Sequence, residues 1–249
     1  NLMNRFYHSK SININETIVM EDFSAHHALK VMRIKSNDQL ILFNGDGVDY
    51  KGEVLSINKG QVKISIKSKK NIDIESNLKV VLIQAITSSD KMDLIIQKTT
   101  ELGVSEIQPI LCERSIVKIK NEKMEKKLLH WHQVTIAACE QCGRAKIPII
   151  HKPEKITKYL EKIKRSEKDI KIILSPQATQ SLDNIIPYSN INQEIKVLIG
   201  PEGDFTEQEL NFAIKKSFLP IKIGPRILRT ETAPISILSI LQYKYGDIV

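Results

Sequence analysis

The chain is poor in cysteine and contains no long hydrophobic run. Only three of its 249 residues are cysteines. So few cysteines, odd in number, argue against a disulfide framework in a chain of this length and indicate a reducing compartment. No apolar segment approaches the ~20 residues that a membrane-spanning helix needs, and the first residues show no signal-peptide pattern. We therefore expect a cytoplasmic protein without a membrane partner.

The sequence also lacks the familiar motifs of nucleotide chemistry and metal catalysis. It contains no Walker loop, no Gly-x-Gly-x-x-Gly, no His-Glu-x-x-His and no nucleophile elbow. Cys139 and Cys142 are spaced like a redox or metal pair, but they fall at the predicted end of a helix, where the helix dipole raises the pKa of a thiol. Because no second cysteine pair completes a zinc site, we expect no metal.

Arginine is rare in an otherwise basic chain. The sequence has 37 Lys+Arg against 29 Asp+Glu, a formal net charge of +8, yet only seven of the basic residues are arginines. Residues 1–72 hold 11 Lys+Arg and 7 Asp+Glu, so half of the excess lies in this short segment. This density suggests a polyanion partner, and a lysine-rich coding bias is the alternative. The retained arginines are candidate phosphate contacts, because Lys cannot bind phosphate in a bidentate manner.

The pattern of the chain changes near residue 72. Before it, short β-type segments alternate with Gly-containing turns, which predicts a small β-barrel over residues 1–72 with one short helix near 24–32. After it, strands and helices alternate over residues 73–249. This alternation predicts an α/β domain with a mostly parallel sheet that helices cover on both faces.

Two Gly-Pro turns in the last quarter of the chain predict a small-molecule site. The segments 198–204 and 223–233 each follow a short apolar run, predicted as strands over 195–199 and 221–223, and each precedes a predicted helix. Thr232 is a candidate cap for the second of these helices. Gly lets a ligand approach the main chain and Pro stiffens the turn, so two such turns at strand ends form a backbone-lined pocket.

Charged side chains beside the two turns suggest chemistry. Glu202 lies in the first turn, and Arg226, Arg229 and Glu231 lie in the second. A solvated turn acid is the alternative for Glu202, and a surface ion pair is the alternative for the other three. The residues by themselves leave these alternatives open.

Together, these segments resemble one family of bacterial enzymes. The matching segments are 27–33, 43–47, 91–93 through 101–104, 113–115, 140–144, 200–203 and 224–233. They resemble the ribosomal RNA small-subunit methyltransferases of the SPOUT superfamily, which form 3-methyluridine at position 1498 of 16S rRNA. The resemblance implies a PUA-like RNA-binding β-barrel in residues 1–72 and a SPOUT domain with a deep trefoil knot in residues 73–249. It also implies S-adenosylmethionine as cofactor, 16S rRNA or the small ribosomal subunit as partner, and a homodimer.

The resemblance assigns roles to individual residues. Arg229 and Glu231 are expected to be catalytic, with Glu202 as the competing base. The cofactor contacts are expected at Leu174, Ser175, Leu198, Ile199, Gly200, Pro201, Gly203, Ile223, Gly224, Pro225, Ile227, Leu228, Thr232 and Ala233. The RNA contacts are expected at Arg5, Arg33, Lys69, Lys70, Arg114, Arg144 and Arg226.

Three other functions remain compatible with the sequence. The first is a SPOUT enzyme that methylates a ribose 2′-OH or a different base. The second is an RNA-binding or ribosome-assembly factor without transfer activity. The third is a small-ligand enzyme with no RNA partner, which the basic N-terminal segment disfavours.

Overall fold

The computed structural model describes residues 3–20, 25–115, 121–163, 169–184 and 194–249. The chain divides into two units, of which the first comprises Asn1–Glu75 with Ile136–Ile147 and the second comprises Ser76–Thr135 with Pro148–Val249. The sequence analysis places the boundary after residue 72 and does not assign residues 136–147 to the first unit. The limits of the functional domains stay a prediction.

The first unit is built on a five-stranded mixed sheet. Its strands are β1 (Asn4–Tyr7), β2 (Thr17–Met20), β3 (Gln39–Phe43), β4 (Val48–Asn58) and β5 (Gln61–Asn71). They lie in the order β1-β3-β4-β5-β2, in which β1 runs parallel to β3 and the other pairs are antiparallel. A short π-helix, His27–Val31, lies between β2 and β3. The first predicted residue of this helix, Ser24, is outside the described residues.

The longest hairpin of this sheet shows how the sequence forms it. In β5, Val62, Ile64 and Ile66 are buried while Lys63 is exposed, so one face packs and the other faces water. Gly60 in the preceding turn has φ +82°, a conformation that a residue with a side chain rarely adopts. Local alternation and one turn glycine therefore account for the hairpin.

The second unit contains a seven-stranded sheet in which every pair of neighbouring strands is parallel. The strands are β6 (Lys79–Ala85), β7 (Glu106–Leu111), β8 (Ile149–Ile150), β9 (Glu154–Lys155), β10 (Ile170–Leu174), β11 (Glu194–Ile199) and β12 (Leu219–Ile221). The order is β12-β10-β11-β6-β7-β8, with β9 also beside β7. The prediction of a mostly parallel sheet is confirmed.

Five α-helices accompany the strands along the described part of the chain. They are α1 (Ser89–Glu101), α2 (Asn121–Cys142), α3 (Ile156–Lys162), α4 (Glu207–Lys215) and α5 (Thr232–Tyr245), and a short 3-10 helix spans Leu182–Asn184. Helix α2 contributes residues to both units. Among the described residues, no helix combines the length and apolarity needed to cross a bilayer.

Apolar side chains cover the central sheet on both faces. On one face, Leu82 and Val197 pack with residues of α1 and α5 such as Ile95 and Leu238. On the other face, strand residues including Ile83 pack with residues of α3 and α4. Burial on alternate sides of the same strands explains why these strands read as almost continuous apolar runs.

The predicted strand over 221–223 is displaced in the structure. β12 ends at Ile221, because its ladder with β10 ends where Leu174 is paired with Ile221. The next backbone N–H, from Lys222, donates instead to the carbonyl of Gln180. The chain therefore leaves the sheet before Ile223, and this residue belongs to the loop that follows.

The start of α4 should be a measurable local contribution to stability. Thr206 is the N-cap, its Oγ1 accepts a hydrogen bond from the Glu209 N–H at 3.2 Å, and the Glu209 carboxylate accepts from the Thr206 N–H at 2.9 Å. We expect Thr206→Ala to lower the free energy of unfolding by about 1 kcal/mol, because a helix N–H loses its partner. Urea denaturation would measure this change, and Thr206→Ser should retain most of the stability. Equal losses in the two variants would contradict the capping role.

Candidate active site

A cavity of about 920 Å³ lies at the carboxyl-terminal edge of the central sheet, beside the ends of β10, β11 and β12. Its wall includes most of the predicted cofactor contacts, namely Leu174, Ser175, Ile199, Gly200, Pro201, Gly203, Ile223, Gly224, Pro225, Ile227, Leu228 and Ala233. It also includes Glu202, Arg226 and Arg229. Pro176, which the family resemblance places in the same cofactor loop as Leu174 and Ser175, also lines the cavity. Lining residues to which the sequence analysis gave no individual role are Lys91, Gln177, Asp204, Ile221, Lys222 and Thr230.

The first Gly-Pro turn is fixed by its own backbone and by the second turn. The Asp204 N–H donates to the carbonyl of Pro201 at 2.9 Å, which closes the turn. The hydroxyl of buried Thr230 donates to the carbonyl of Gly200 at 2.8 Å. A Cβ on Gly200 would lie 3.0 Å from the ring of Phe205, so this position has little room for a side chain. The two turns therefore form a single wall.

The second turn exposes its backbone and apolar side chains to the cavity. Gly224 has φ +136°, and no heavy atom lies within 4 Å of the place that its Cβ would occupy. Ile227 is 81% exposed although it is a large apolar residue. An exposed apolar side chain beside an open stretch of main chain is typical of a site that a ligand covers.

Gly224 offers a direct test of the loop conformation. We expect Gly224→Ala to weaken binding of S-adenosylmethionine, the cofactor that the resemblance implies, about tenfold. A residue with a Cβ is destabilised by about 1–2 kcal/mol in the positive-φ region, so the loop would relax away from its present path. Isothermal titration calorimetry would measure the affinity for S-adenosylmethionine. Gly60→Ala is the matched control, since Gly60 also has positive φ and open space but belongs to the first unit. A similar loss of affinity in both variants would contradict the role of the Gly224 loop.

Arg114 stabilises the first turn by hydrogen bonds to its backbone. Its Nη1 donates to the carbonyl oxygens of Gly203 at 3.2 Å and Phe205 at 3.3 Å. Next to it, the Glu113 N–H donates to the buried carboxylate of Glu209 at 2.8 Å. The sequence analysis predicts Arg114 as an RNA contact, whereas the structure shows its guanidinium on the backbone of the cavity wall. Its position in a segment that matches the family was the only sequence signal of this role.

Lys91 joins two of the predicted catalytic carboxylates. Its Nζ lies 3.1 Å from Glu202 Oε1 and 3.4 Å from Glu231 Oε2. Lys91 lines the cavity, whereas Glu231 is not among the described residues that line it and reaches the wall through Lys91. The sequence analysis includes Lys91 in a segment that matches the family but gives it no role, since only the folded chain brings it beside the two acids.

Glu202 is held as a carboxylate. Partial burial acts to raise its pKa, but hydrogen bonds from the Thr87 hydroxyl, its own N–H and Lys91, together with the Lys91 charge, outweigh burial and lower the pKa below its ordinary value. The Thr87 side chain that donates this bond is completely buried. A carboxylate with a lowered pKa is a weaker proton acceptor, which favours an anchoring role for Glu202.

Two predicted cofactor contacts do not line the cavity. Leu198 is fully buried in the apolar cluster on one face of the sheet. Thr232 is the first residue of α5 and not its cap, because Glu231 occupies the N-cap position without a capping side-chain bond. The N–H groups of Thr232 and Ala233 donate to the Arg229 carbonyl at 2.9 and 3.0 Å. The prediction that Thr232 caps the helix and frees these groups for a ligand is therefore wrong.

The predicted RNA contacts fall into two classes. Arg5 is buried in an ion pair with Asp49 and also donates to the Arg144 carbonyl at 3.1 Å. Arg144 is buried and donates to Glu75 at 2.6 Å. Because these guanidiniums already bind partners inside the first unit, their positions do not support phosphate contact. The exposed members of the predicted set are Arg33, Lys69, Lys70, Arg226 and Arg114, of which Arg114 already binds the first turn.

Cys139 is poorly suited to redox chemistry. Cys139 is fully buried, and burial raises the pKa of its thiol to about 12. A thiol with such a pKa is a poor nucleophile. Within the described ranges, no group of three or more His, Cys, Asp or Glu side chains is arranged to hold a metal ion.

Comparison with known proteins identifies the family. Residues 74–242 match the family model described as RNA methyltransferase domain, and residues 24–67 match the RNA methyltransferase PUA domain. The ribosomal RNA small subunit methyltransferase E of Buchnera aphidicola subsp. Schizaphis graminum is 38% identical over 244 residues, which cover 98% of this chain and 97% of that protein. This chain belongs to the ribosomal RNA small subunit methyltransferase E family. The Bacillus subtilis member is 31% identical, with 88% of this chain and 87% of that protein covered.

Two solved structures of similar proteins share the whole fold. A Legionella pneumophila protein, described as a methyltransferase in complex with the cofactor SAM, matches with a TM-score of 0.94 at 35% identity. The Neisseria gonorrhoeae ribosomal RNA small subunit methyltransferase E, described as bound to S-adenosyl methionine, matches with a TM-score of 0.90 at 34% identity. Both matches cover 100% of each chain. The expected fold class, a PUA-type N-terminal sheet followed by a SPOUT-type α/β domain, is confirmed.

Proposed function

We propose that this protein transfers the methyl group of S-adenosylmethionine to N3 of a uridine in 16S rRNA of the small ribosomal subunit, at position 1498 in the standard numbering. The observation that carries the proposal is the cavity of about 920 Å³ that two Gly-Pro turns form at the ends of parallel strands. Membership of the methyltransferase family and the cofactor-bound relatives support the same conclusion.

The wall of the cavity fits S-adenosylmethionine. Its volume is within the usual range for a site that encloses a small ligand. The open space where a Gly224 side chain would lie lets a ligand approach the main chain. Ile199, Ile223 and Leu228 supply apolar surface for an adenine ring and methylene groups. When bound, the cofactor supplies a methyl group on a cationic sulfur, which keeps the electrons of the broken S–C bond as uracil N3 forms the new bond.

The protein has to remove the proton from N3. The pKa of this N–H is about two units above neutral pH, so forming the anion costs about 3 kcal/mol. In this proposal Glu231 takes the proton, with Glu202 as the competing base, and Arg229 supplies positive charge to the uracil anion. The transfer then joins an anion to a cation, so strong polar stabilisation of the reactants would slow it. In-line positioning by the Gly-Pro turns provides most of the remaining rate.

The basic residues of the first unit and the cavity rim bind the RNA backbone in this proposal. Arg33, Lys69 and Lys70 are exposed in the first unit, and Arg226 is exposed at the cavity. Their contacts to phosphate would make affinity fall as the salt concentration rises. The target uridine has to leave its stack to reach a cavity, so RNA shape contributes to its selection.

The proposal also includes the fold details, the oligomeric state and the cellular location that the family resemblance implies. We expect the PUA-like β-barrel unit to bind RNA, the α/β unit to contain a trefoil knot, and the active protein to be a cytoplasmic homodimer. Size-exclusion chromatography with light scattering would measure the oligomeric state.

Methyl transfer to defined ribosomal particles tests the function. Small subunits from cells that lack this gene would be incubated with labelled S-adenosylmethionine, and the nucleosides would be separated after digestion. We expect label in 3-methyluridine. Label in a ribose-methylated nucleoside or in another base would move the target while keeping the enzyme class. Failure to bind the cofactor would support an RNA-binding assembly factor instead.

A further inference from the structure

The cavity contains a lysine that the proposed mechanism does not yet use. Lys91 lies in the first turn of α1, which follows β6, whereas Glu202 follows β11. The parallel pairing of β6 with β11 brings these two segments to the same edge of the sheet. Lys91 contacts Glu202 at 3.1 Å and Glu231 at 3.4 Å, and its side chain is 28% exposed. It is therefore a fixed cation at the wall of a ligand cavity.

The two carboxylates do not exhaust the hydrogen-bonding capacity of the ammonium. A lysine ammonium has three N–H donors and no acceptor. Among the described residues, Glu202 and Glu231 are the ion-pair partners of Lys91, but only Glu202 accepts a hydrogen bond from it, since Glu231 Oε2 lies 3.4 Å away and has no hydrogen-bond partner. The remaining donors are available to an acceptor that enters the cavity.

The proposed reaction creates such an acceptor. Loss of the N3 proton leaves a uracil anion whose charge spreads over N3 and the two carbonyl oxygens beside it. One arginine cannot bind both oxygens at once, because N3 and its incoming methyl group lie between them. A second donor is needed on the other side of N3, where it would act on charge that develops during the reaction.

We propose that Lys91 is this second donor and that it binds one of the uracil carbonyl oxygens flanking N3, while Arg229 binds the other. The inference rests on the proposed uridine N3 methylation. Glu202 and Glu231 keep the ammonium in place before the RNA binds, so little reorganisation is required at the moment of reaction. The hydrogen bond to Glu202 and the charges of both acids also raise the pKa of Lys91, which keeps the ammonium protonated at neutral pH.

The test compares Lys91→Met with Lys91→Arg. We expect kcat for Lys91→Met to fall about 10- to 100-fold. This is a smaller effect than an isolated cation would show, since two carboxylates share the Lys91 charge. Calorimetry should give a dissociation constant for S-adenosylmethionine within about threefold of wild type, because the lysine acts on the RNA base. Lys91→Arg should retain most of kcat. Lys98→Met is the matched control, as Lys98 lies on the same helix and pairs with Glu101 away from the cavity.

A substrate with a more acidic N3–H separates the catalytic role from a structural one. Small subunits from cells grown with 5-fluorouracil carry 5-fluorouridine, whose fluorine lowers the pKa of N3–H. If Lys91 stabilises the anion, the defect of Lys91→Met should shrink to about threefold on these particles. An unchanged defect, or a loss of cofactor affinity as large as the loss of kcat, would overturn the proposal and leave Lys91 as a support for the loop.

The wild-type product distinguishes failure of this inference from failure of the proposed function. If wild-type protein forms 3-methyluridine while Lys91→Met retains full activity, only the role of Lys91 is refuted. If wild-type protein methylates a ribose or a different base, the uridine N3 function is refuted and the inference with it. Thermal unfolding of each variant identifies a loss of activity that results from misfolding.

Discussion

Arg229→Ala is expected to reduce kcat for methyl transfer about 10²- to 10³-fold while leaving the affinity for S-adenosylmethionine within a few-fold of wild type. Arg229 is exposed at the cavity wall, and its side chain is the predicted source of positive charge for the uracil anion. Such charge helps only after N3–H has begun to ionise, so its removal should lower kcat and kcat/KM together. Single-turnover transfer to small ribosomal subunits would measure the step directly.

Arg226→Ala provides the matched control for this result. Arg226 lies three residues before Arg229, lines the same cavity and is also exposed. As a predicted phosphate contact, it should raise KM for the RNA substrate and reduce the salt dependence of binding, with kcat little changed. A larger loss of kcat in Arg226→Ala than in Arg229→Ala would indicate that Arg226 stabilises the uracil anion and that Arg229 contacts phosphate. Loss of cofactor binding in Arg229→Ala would show that its main role is to support the loop.

Glu231→Gln is expected to reduce kcat by a similar or larger factor, about 10²- to 10⁴-fold, because it removes the proposed general base. The amide has the shape of the carboxylate and its oxygen can face Lys91, so the local structure should be retained. Without the base, proton removal depends on hydroxide. The rate of the variant should therefore rise about tenfold per pH unit across the measured range, whereas the wild-type rate should level off.

Glu202→Gln tests the competing base under the same conditions. Hydrogen bonds from Thr87 and Lys91 and the Lys91 charge lower the pKa of Glu202 in spite of its partial burial. We expect kcat to fall no more than about tenfold. The substitution removes the negative charge that anchors Lys91, but it leaves the proposed base, Glu231, in place. Measured pH–rate profiles of both variants would decide between the acids. A levelling profile for Glu231→Gln, together with a hydroxide-dependent profile for Glu202→Gln, would reverse the assignment.

Local patterns predicted much of the secondary structure. The alternation in β5 and the positive φ of Gly60 belong to residues that are close in sequence, and the hairpin followed from them. The boundaries were less accurate where long-range pairing decides them. The strand predicted over 221–223 ends at Ile221, because its partner β10 ends at Leu174.

The same distinction applies to the site. The Gly-Pro turns could be identified because their glycines and prolines constrain the local backbone, and the structure places both turns around one cavity. The buried pairs of Arg5 and Arg144 could not be identified. An arginine that binds Asp49 or Glu75 has the same local sequence signal as one that binds phosphate, and only burial separates the two cases.

The sequence by itself determined the alternation of strands and helices, the two Gly-Pro turns and, through its resemblance to a family, the class of reaction. Only the tertiary structure decided which side chains meet. Lys91 and Glu202 are 111 positions apart, yet they are in contact because β6 and β11 are parallel neighbours whose carboxyl ends lie at the same edge of the sheet. Local periodicity indicates which face of a strand is buried but not which strand lies beside it. The order of strands in the sheet therefore decides that Lys91 and Glu202 meet.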